Sequence, residues 1–497
     1  MMYKSSRGYS EQYSFSDAVL TGIAPDGGLF VPVEFPKFSA DDLNRFCNMS
    51  YCELASEIFS AFADDFTKEE LDACVKNAYA DGSFPDEPTP LSVLSNTLSV
   101  LELWHGPTSA FKDMALQILP EFMSVAIKKS KKHNKIAILT ATSGDTGKAA
   151  LAGFKDAENV KILVFYPAEG VSEMQKTQMI TQEGGNLSVV AVRGNFDDAQ
   201  TGVKNIFGDK EFAELLKERG YTLSSANSIN IGRLLPQVVY YYYAYFALVR
   251  NGKLNLGDKI NFAVPTGNFG NILACYYAAK TGLPVNRIVC ATNDNNVVSD
   301  FLTTGVYSSN RPFILTISPA MDILISSNLE RLLYDVSGED SELVSRLQQD
   351  LKANGVYSVD KELSDNIGKY FWSSTSNQNE CRKTIKSIHQ EFNYLVDPHT
   401  AVGIDVYDKY VISTGDTTPA VAVSTASPFK FNKTVAESLF GEDSVENKNE
   451  FEILEELSEK TGWEIPVPLR DLDKKPVLHK RICNVSDMKN EVDEFLQ

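Results

Sequence analysis

The chain has 497 residues, 43% of them hydrophobic and 23% charged, a composition of the ordinary globular kind and too long for one hydrophobic core, so two to four domains are expected. Its 47 Lys and Arg against 66 Asp and Glu leave a formal net charge of -19, which argues against nucleic-acid binding, since phosphate contacts need clustered cations. A small anionic ligand is still allowed, because it needs only a local set of helix N-termini, hydroxyls and one or two cations. Seven scattered cysteines without a C-x-x-C pair suit a reducing compartment, and the polar start Met1 to Gly8 lacks the apolar core of a signal peptide. A cytoplasmic chain is expected, with no membrane partner.

Residues 1–91 open with the Gly-Pro-rich Gly22 to Pro32 and continue with helix-like Tyr51 to Phe62 and Lys68 to Ala78, which predicts a small, mainly helical N-terminal domain closed by the turn-rich Asp81 to Pro90. From about 98, β-like runs alternate with helices: Leu98 to Leu103, Met114 to Ile127, Ile136 to Thr140, a helix from Gly147, Ile162 to Tyr166, Gln175 to Thr181, Ser188 to Val192, Asp197 to Phe207 and Ile260 to Val264. That rhythm predicts parallel sheets of βαβ units over residues 92–304, with a smaller βαβ subdomain at about 130–210. Val238 to Val249 is too short and too rich in tyrosine to cross a bilayer and is expected to be a buried helix. Residues 305–392 break the rhythm and are expected to form a helical insertion. The α/β pattern returns over 393–497 with strand Ala420 to Ser424, an acidic helix Glu450 to Lys460 and a polar tail.

Three segments carry chemistry. His105-Gly106-Pro107-Thr108-Ser109-Ala110-Phe111-Lys112-Asp113 puts Lys112 behind a Gly-Pro turn and beside an aromatic ring. A lysine that forms a Schiff base must lose its proton near neutral pH, and an apolar wall such as Phe111 or a nearby cation promotes that loss. Pro265-Thr266-Gly267-Asn268-Phe269-Gly270-Asn271 follows a strand and precedes a helix, a junction where backbone amides close around a phosphate. Thr142-Ser143-Gly144-Asp145-Thr146-Gly147-Lys148 is a second strand-to-helix junction. It is not a nucleotide P-loop, because Thr142 stands at the first glycine position and Ala149 follows the lysine. Together the lysine and the loops point to pyridoxal phosphate (PLP).

Ser225 to Arg233 offers amide, hydroxyl and guanidinium donors suited to a second anion, the alternative being a helix cap followed by a surface arginine. Ser424-Thr425-Ala426-Ser427-Pro428 ends a strand with neutral hydroxyls. A hydroxyl facing a pyridine nitrogen does not hold it protonated as a carboxylate would, and a local Ser/Thr turn is the structural alternative. The five histidines are too dispersed for a metal site, and His105 and His399 are expected to be hydrogen-bonded structural groups.

These motifs, in order, resemble the threonine synthase family in its long form with an N-terminal domain. The resemblance runs through SSRG at 5–8, GIAPDGGLFVP at 22–32, LWHGPTSAFKD at 103–113, TSGDTGKAA at 142–150, PTGNFGN at 265–271, SPAMDILISSNLERLL at 318–333, DPHTAVG at 397–403 and STASPFKF at 424–431. It implies the tryptophan synthase β-like PLP fold, with two parallel-sheet domains. It implies that Lys112 is the catalytic lysine that holds PLP, that Gly267, Asn268, Phe269, Gly270 and Asn271 bind the cofactor phosphate, and that Thr425 faces the pyridine nitrogen. Asn227, Ser228 and Arg233, helped by Ser143 and Thr146, are implied to bind the substrate phosphate. The implied reaction converts O-phospho-L-homoserine and water to L-threonine and phosphate, in a monomer or weak homodimer.

Two departures limit the transfer. Some relatives have histidine where Ser427 stands, so a role built on that imidazole does not carry over. Shorter relatives have asparagine where Asp145 stands, and an ionised carboxylate beside the cofactor's phenolic oxygen would be awkward. The competing readings are a threonine or serine dehydratase, which needs no phosphate-binding set, a nucleotide-dependent kinase, which the broken P-loop disfavours, and a catalytically silent relative.

Overall fold

Runs of β-branched and small apolar residues without polar alternation, such as Ile260–Pro265 and Ala420–Ser424, are buried along their whole length, as strands covered on both faces must be. In the computed structural model, which describes residues 1–80, 82–130, 135–142 and 144–497, they lie at the centre of a six-stranded sheet. Asp81, His133 and the candidate Ser143 fall outside the described residues. The strand order is Phe371–Thr375, Val285–Thr292, Ile260–Pro265, Ala420–Ser424, Leu98–Glu102, Leu91–Val93. Every pairing is parallel except that of the last edge strand. A second sheet, all parallel, runs Arg481–Asn484, Leu187–Arg193, Val160–Pro167, Lys135–Ala141, Tyr221–Ser224. The two-sheet α/β architecture expected from the sequence is present.

Three stretches differ from the sequence expectation. The region read as a helical insertion does hold helices Leu329–Val336, Ser341–Asn354, Lys361–Gly368 and Gln378–Phe392, but it also supplies edge strand Phe371–Thr375 and a small antiparallel pairing of Val306–Ser308 with Val356–Ser358. The polar tail is not a tail: Arg481–Asn484 extends the second sheet and helix Met488–Phe495 buries Met488 and Val492 beneath it. An edge strand has one exposed flank and reads as polar, which hid it. The second sheet also reaches further than 210, to Tyr221–Ser224.

The N-terminal region packs helices Phe15–Thr21, Tyr51–Phe62 and Lys68–Tyr79 against the α/β core, and Tyr3–Ser5 pairs antiparallel with Phe30–Pro32. Phe122, from the core helix Leu119–Lys129, takes edge-to-face contacts from Phe15 and Phe59, both with ring centroids 5.3 Å away, the favoured aromatic geometry. Helix Pro236–Arg250 carries the tyrosine-rich run and is buried from Pro236 to Leu248, which fits the buried helix expected there.

Candidate active site

Lys112 ends a turn whose shape is fixed by one buried carboxylate. Asp113 accepts hydrogen bonds from the Thr108 amide at 2.8 Å and the Thr108 hydroxyl at 2.7 Å. A Cβ at Gly106 would lie 2.6 Å from the Asp113 Cβ, so only glycine fits there. Ser109 adopts a left-handed φ of 58° to complete the turn. Phe111 N donates to Thr425 O at 2.8 Å, which brings Thr425, at the end of strand Ala420–Ser424, beside the lysine segment. The Lys112 ammonium lies 4.9 Å from the Phe111 ring centroid, so Phe111 does form the wall expected of it.

The helix Asp145–Gly153 points its first turn at this lysine. Lys112 Nζ is 3.3 Å from Asp145 Oδ2, Lys430 Nζ is 2.9 Å from Asp145 Oδ1, and Gln175 Nε2 donates to Oδ1 at 2.8 Å. Burial alone would raise the Asp145 carboxyl, but Lys430 and then Lys112 hold it well below the usual carboxylate range. Burial pushes the Lys112 amine below the usual lysine value; Asp145 opposes this, while Lys430 and Arg233 add to it. The charge on Asp145, awkward in the sequence, is balanced by two lysines. Thr146 sits partly exposed on the same first turn.

The 265–271 junction joins strand Ile260–Pro265 to helix Gly270–Thr281, with a division of labour between its glycines. A Cβ at Gly267 would meet the Ala320 carbonyl oxygen at 2.8 Å, so Gly267 is required by the loop packed over it. A Cβ at Gly270 would meet only ordinary contacts, 3.5 Å from Asn328 Nδ2 and 3.6 Å from Ser228 Cβ. Phe269, at a left-handed φ of 63°, starts helix Gly270–Thr281 without a side-chain cap, so the first-turn amides remain available to an anion. Tyr240 and Tyr241 both donate to Asn271 Oδ1, and Asn271 Nδ2 is buried without a hydrogen-bond partner.

Asn328 ties this loop to the second candidate anion segment. Its side-chain amide donates to Asn268 O at 2.9 Å and to Ser228 Oγ at 3.2 Å. Arg331, fully buried, donates to Asn328 Oδ1 at 2.5 Å, Ile229 O at 2.6 Å and Phe30 O at 2.9 Å. Beside it, Glu330 accepts from Arg7 and Ser6. The SSRG and GGLFVP stretches of the N-terminal region therefore brace the helix that holds the phosphate loop. None of these contacts was foreseen from the sequence, although the residues lie in motifs that carried the resemblance.

Arg233 is 4% exposed, so the surface-arginine alternative is overturned. Its Nη1 donates to Ala226 O at 2.8 Å, its Nε is buried without a partner, and no carboxylate pairs with it among the described residues. Burial pushes its pKa down to about 10. A buried guanidinium without a counter-ion is poised for an anion. Asn227, half-buried, turns the chain between Ser225 and Asn230. His399 and His105 are hydrogen-bonded as expected, His399 between Asp397 and the Ala320 amide and His105 to Glu102 at 2.7 Å. Ser427 Oγ accepts from Phe429 N at 3.3 Å, a local serine turn.

The donor set fits pyridoxal phosphate: an uncapped helix start with an unpartnered Asn271 amide suits a phosphate, a buried Lys112 suits an aldehyde, and the Thr425 backbone lies against the lysine segment. Family profiles described as "Threonine synthase N terminus", "Pyridoxal-phosphate dependent enzyme" and "Threonine synthase, C-terminal" match residues 2–79, 85–425 and 400–491. The chain is 38% identical to threonine synthase of Schizosaccharomyces pombe over 462 residues, covering 87% of this chain and 88% of that one. It is 39% identical to threonine synthase-like 1 of Homo sapiens over 435 residues, covering 86% of this chain but 58% of that longer protein. The crystal structure of PLP-bound threonine synthase from Brucella melitensis superposes with a TM-score of 0.89 at 35% identity, covering all of both chains.

Proposed function

The chain belongs to the threonine synthase family of PLP-dependent enzymes, and from that premise we propose that it converts O-phospho-L-homoserine and water to L-threonine and phosphate. The observation that carries this choice is Arg233, a buried guanidinium with an unpartnered Nε near enough to Lys112 to lower that amine's pKa. A hydroxy-amino-acid dehydratase, whose substrate carries a carboxylate but no phosphate, would have no use for a phosphate site beside its catalytic lysine.

When bound, PLP supplies a conjugated electron sink that stabilises negative charge next to the substrate's amino carbon. Lys112 Nζ, whose pKa burial and the neighbouring cations lower, removes the proton at the substrate Cα and returns protons along the carbon chain. Asn271 Nδ2 and the first-turn amides of Gly270–Thr281 would hold the cofactor phosphate, and Thr425 would offer the cofactor a neutral hydroxyl. Arg233 and Ser228, with Asn227, Thr146 and Ser143, bind the γ-phosphate and orient it for departure. Retained by Arg233, the released phosphate is placed to act as base for the water that adds at Cβ.

Among the described residues no helix is long and apolar enough to cross a membrane. All seven cysteines are free thiols, which supports a reducing, cytoplasmic setting. The test is the product mixture from PLP-loaded protein and O-phospho-L-homoserine. Threonine and phosphate in equal amounts are expected, and Lys112→Ala should abolish both while remaining folded. A keto acid and ammonia in place of threonine would overturn the assignment.

A further inference from the structure

We propose that Lys430 is a positioning residue for Lys112: it grips Asp145 from the buried side, so that this carboxylate orients the Lys112 amine without holding it as a fully paired ammonium. The inference rests on Lys112 being the cofactor lysine and concerns how that amine is kept reactive.

The geometry is unequal in a telling way. Lys430 is fully buried and makes two contacts of 2.9 Å, to Asp145 Oδ1 and to the Thr108 carbonyl. Lys112 is 12% exposed and reaches Asp145 Oδ2 at 3.3 Å. Gln175 takes a further place on Oδ1. Two lysines, Lys112 and Lys430, thus share Asp145, with Arg233 close enough to act on Lys112, in a space largely closed to water where unpaired charge is costly. Of the two lysines on Asp145, Lys112 is the less closely paired and the one with some exposure, so its proton is the more easily lost. Lys148, from the same helix as Asp145, and Asp113, next to Lys112 in the chain, are the other charges that face Lys430.

Lys430 acts twice, since Thr108 belongs to the turn that carries Lys112. One ammonium fixes both the backbone that presents the lysine and the carboxylate that aims it. Without Lys430, Asp145 would pair with Lys112 alone, and a lone opposite charge at this distance favours the protonated amine.

The experiment uses cofactor-free full-length protein and measures the rate at which added PLP is captured on Lys112 between pH 6 and 10, trapped by borohydride reduction and located by peptide mass spectrometry. In Lys430→Met the midpoint of capture should move up by about 1 pH unit, so that capture below the midpoint is about tenfold slower. Lys430→Arg should stay near wild type, and Asp145→Asn should move the midpoint down. A Lys430→Met protein that is folded like wild type and captures with the same midpoint overturns the proposal. Should Lys430→Met not fold, an Asp145→Asn midpoint that fails to fall overturns it instead. Absence of any adduct on Lys112 in the wild type would remove the cofactor-lysine assignment itself, and the proposal with it.

Discussion

Tyr241 donates its hydroxyl to Asn271 Oδ1 at 2.7 Å, and Tyr240 donates to the same oxygen at 2.5 Å. With its oxygen taken twice, the Asn271 amide can offer only its nitrogen to a ligand, and that nitrogen is buried and unpartnered. The tyrosine-rich helix is therefore a brace for the phosphate loop as well as packing. Replacing both tyrosines by phenylalanine should destabilise the protein by about 1–3 kcal/mol through the orphaned amide oxygen. It should also weaken cofactor retention by about tenfold, read as the PLP dissociation constant by fluorescence titration. An unchanged constant would separate the tyrosines from cofactor binding.

Arg331 gives the N-terminal region a role in the same site. Its guanidinium joins Phe30 O, Ile229 O and the Asn328 side chain that holds Asn268. Arg331→Met leaves three buried acceptors unpaired, and a loss of about 3 kcal/mol is expected, measured by urea unfolding. At temperatures where the variant is still folded, PLP should dissociate faster. Arg7→Ala strands the buried Glu330 carboxylate and should cost a similar amount, but it leaves Asn328 held and should not speed PLP release. Equal release rates from the two variants would mean that Arg331 is not the connecting element.

Arg233 should show opposed effects on stability and binding. Removing a buried guanidinium that no carboxylate balances relieves the folded protein of an unpaired charge at the cost of one bond to Ala226. Arg233→Met should therefore be within about 1 kcal/mol of wild-type stability in the absence of ligand, or above it. Its KM for O-phospho-L-homoserine should rise about tenfold to a hundredfold, since a charge-assisted bond to phosphate contributes about 1.5–3 kcal/mol. A variant that is several kcal/mol less stable with an unchanged KM would make Arg233 a structural residue.

The α/β architecture was legible because buried parallel strands write themselves as unbroken apolar runs, and the turn before Lys112 and the 265–271 junction were legible because turns demand glycine at fixed offsets. Gly106 and Gly267 meet that demand for packing reasons, against Asp113 and the Ala320 carbonyl. What stayed hidden was long-range pairing of ordinary residues. Lys430 lies 285 positions from Asp145 and Arg331 lies 301 from Phe30, and nothing local marks either as buried. Asp145 looked unsuitable for the same reason, since its compensating lysine is contributed by a distant turn. Arg481–Asn484 was missed because an edge strand lacks the apolar alternation that reveals a strand.

Lys148 provides a pH test of the buried charge around this site. Burial, offset in part by Asp113 and reinforced by Lys430, lowers its pKa to about 7, and its amine is bound to Gln182. In the unfolded chain it titrates near the usual 10.5. Between these values the unfolded state holds a proton that the folded state has released, so stability rises with pH across the window from about 7 to about 10.5. Below 7 the lysine is charged in both states and the full cost of its burial is felt. Lys148→Met removes the titration, so the variant should be more stable than wild type at pH 6 to 7, by of order 2 kcal/mol. The gap should close as pH approaches 10. Denaturant unfolding of both proteins across this range measures it. A difference that does not change with pH would mean that Lys148 is solvated in the folded protein and carries no buried charge.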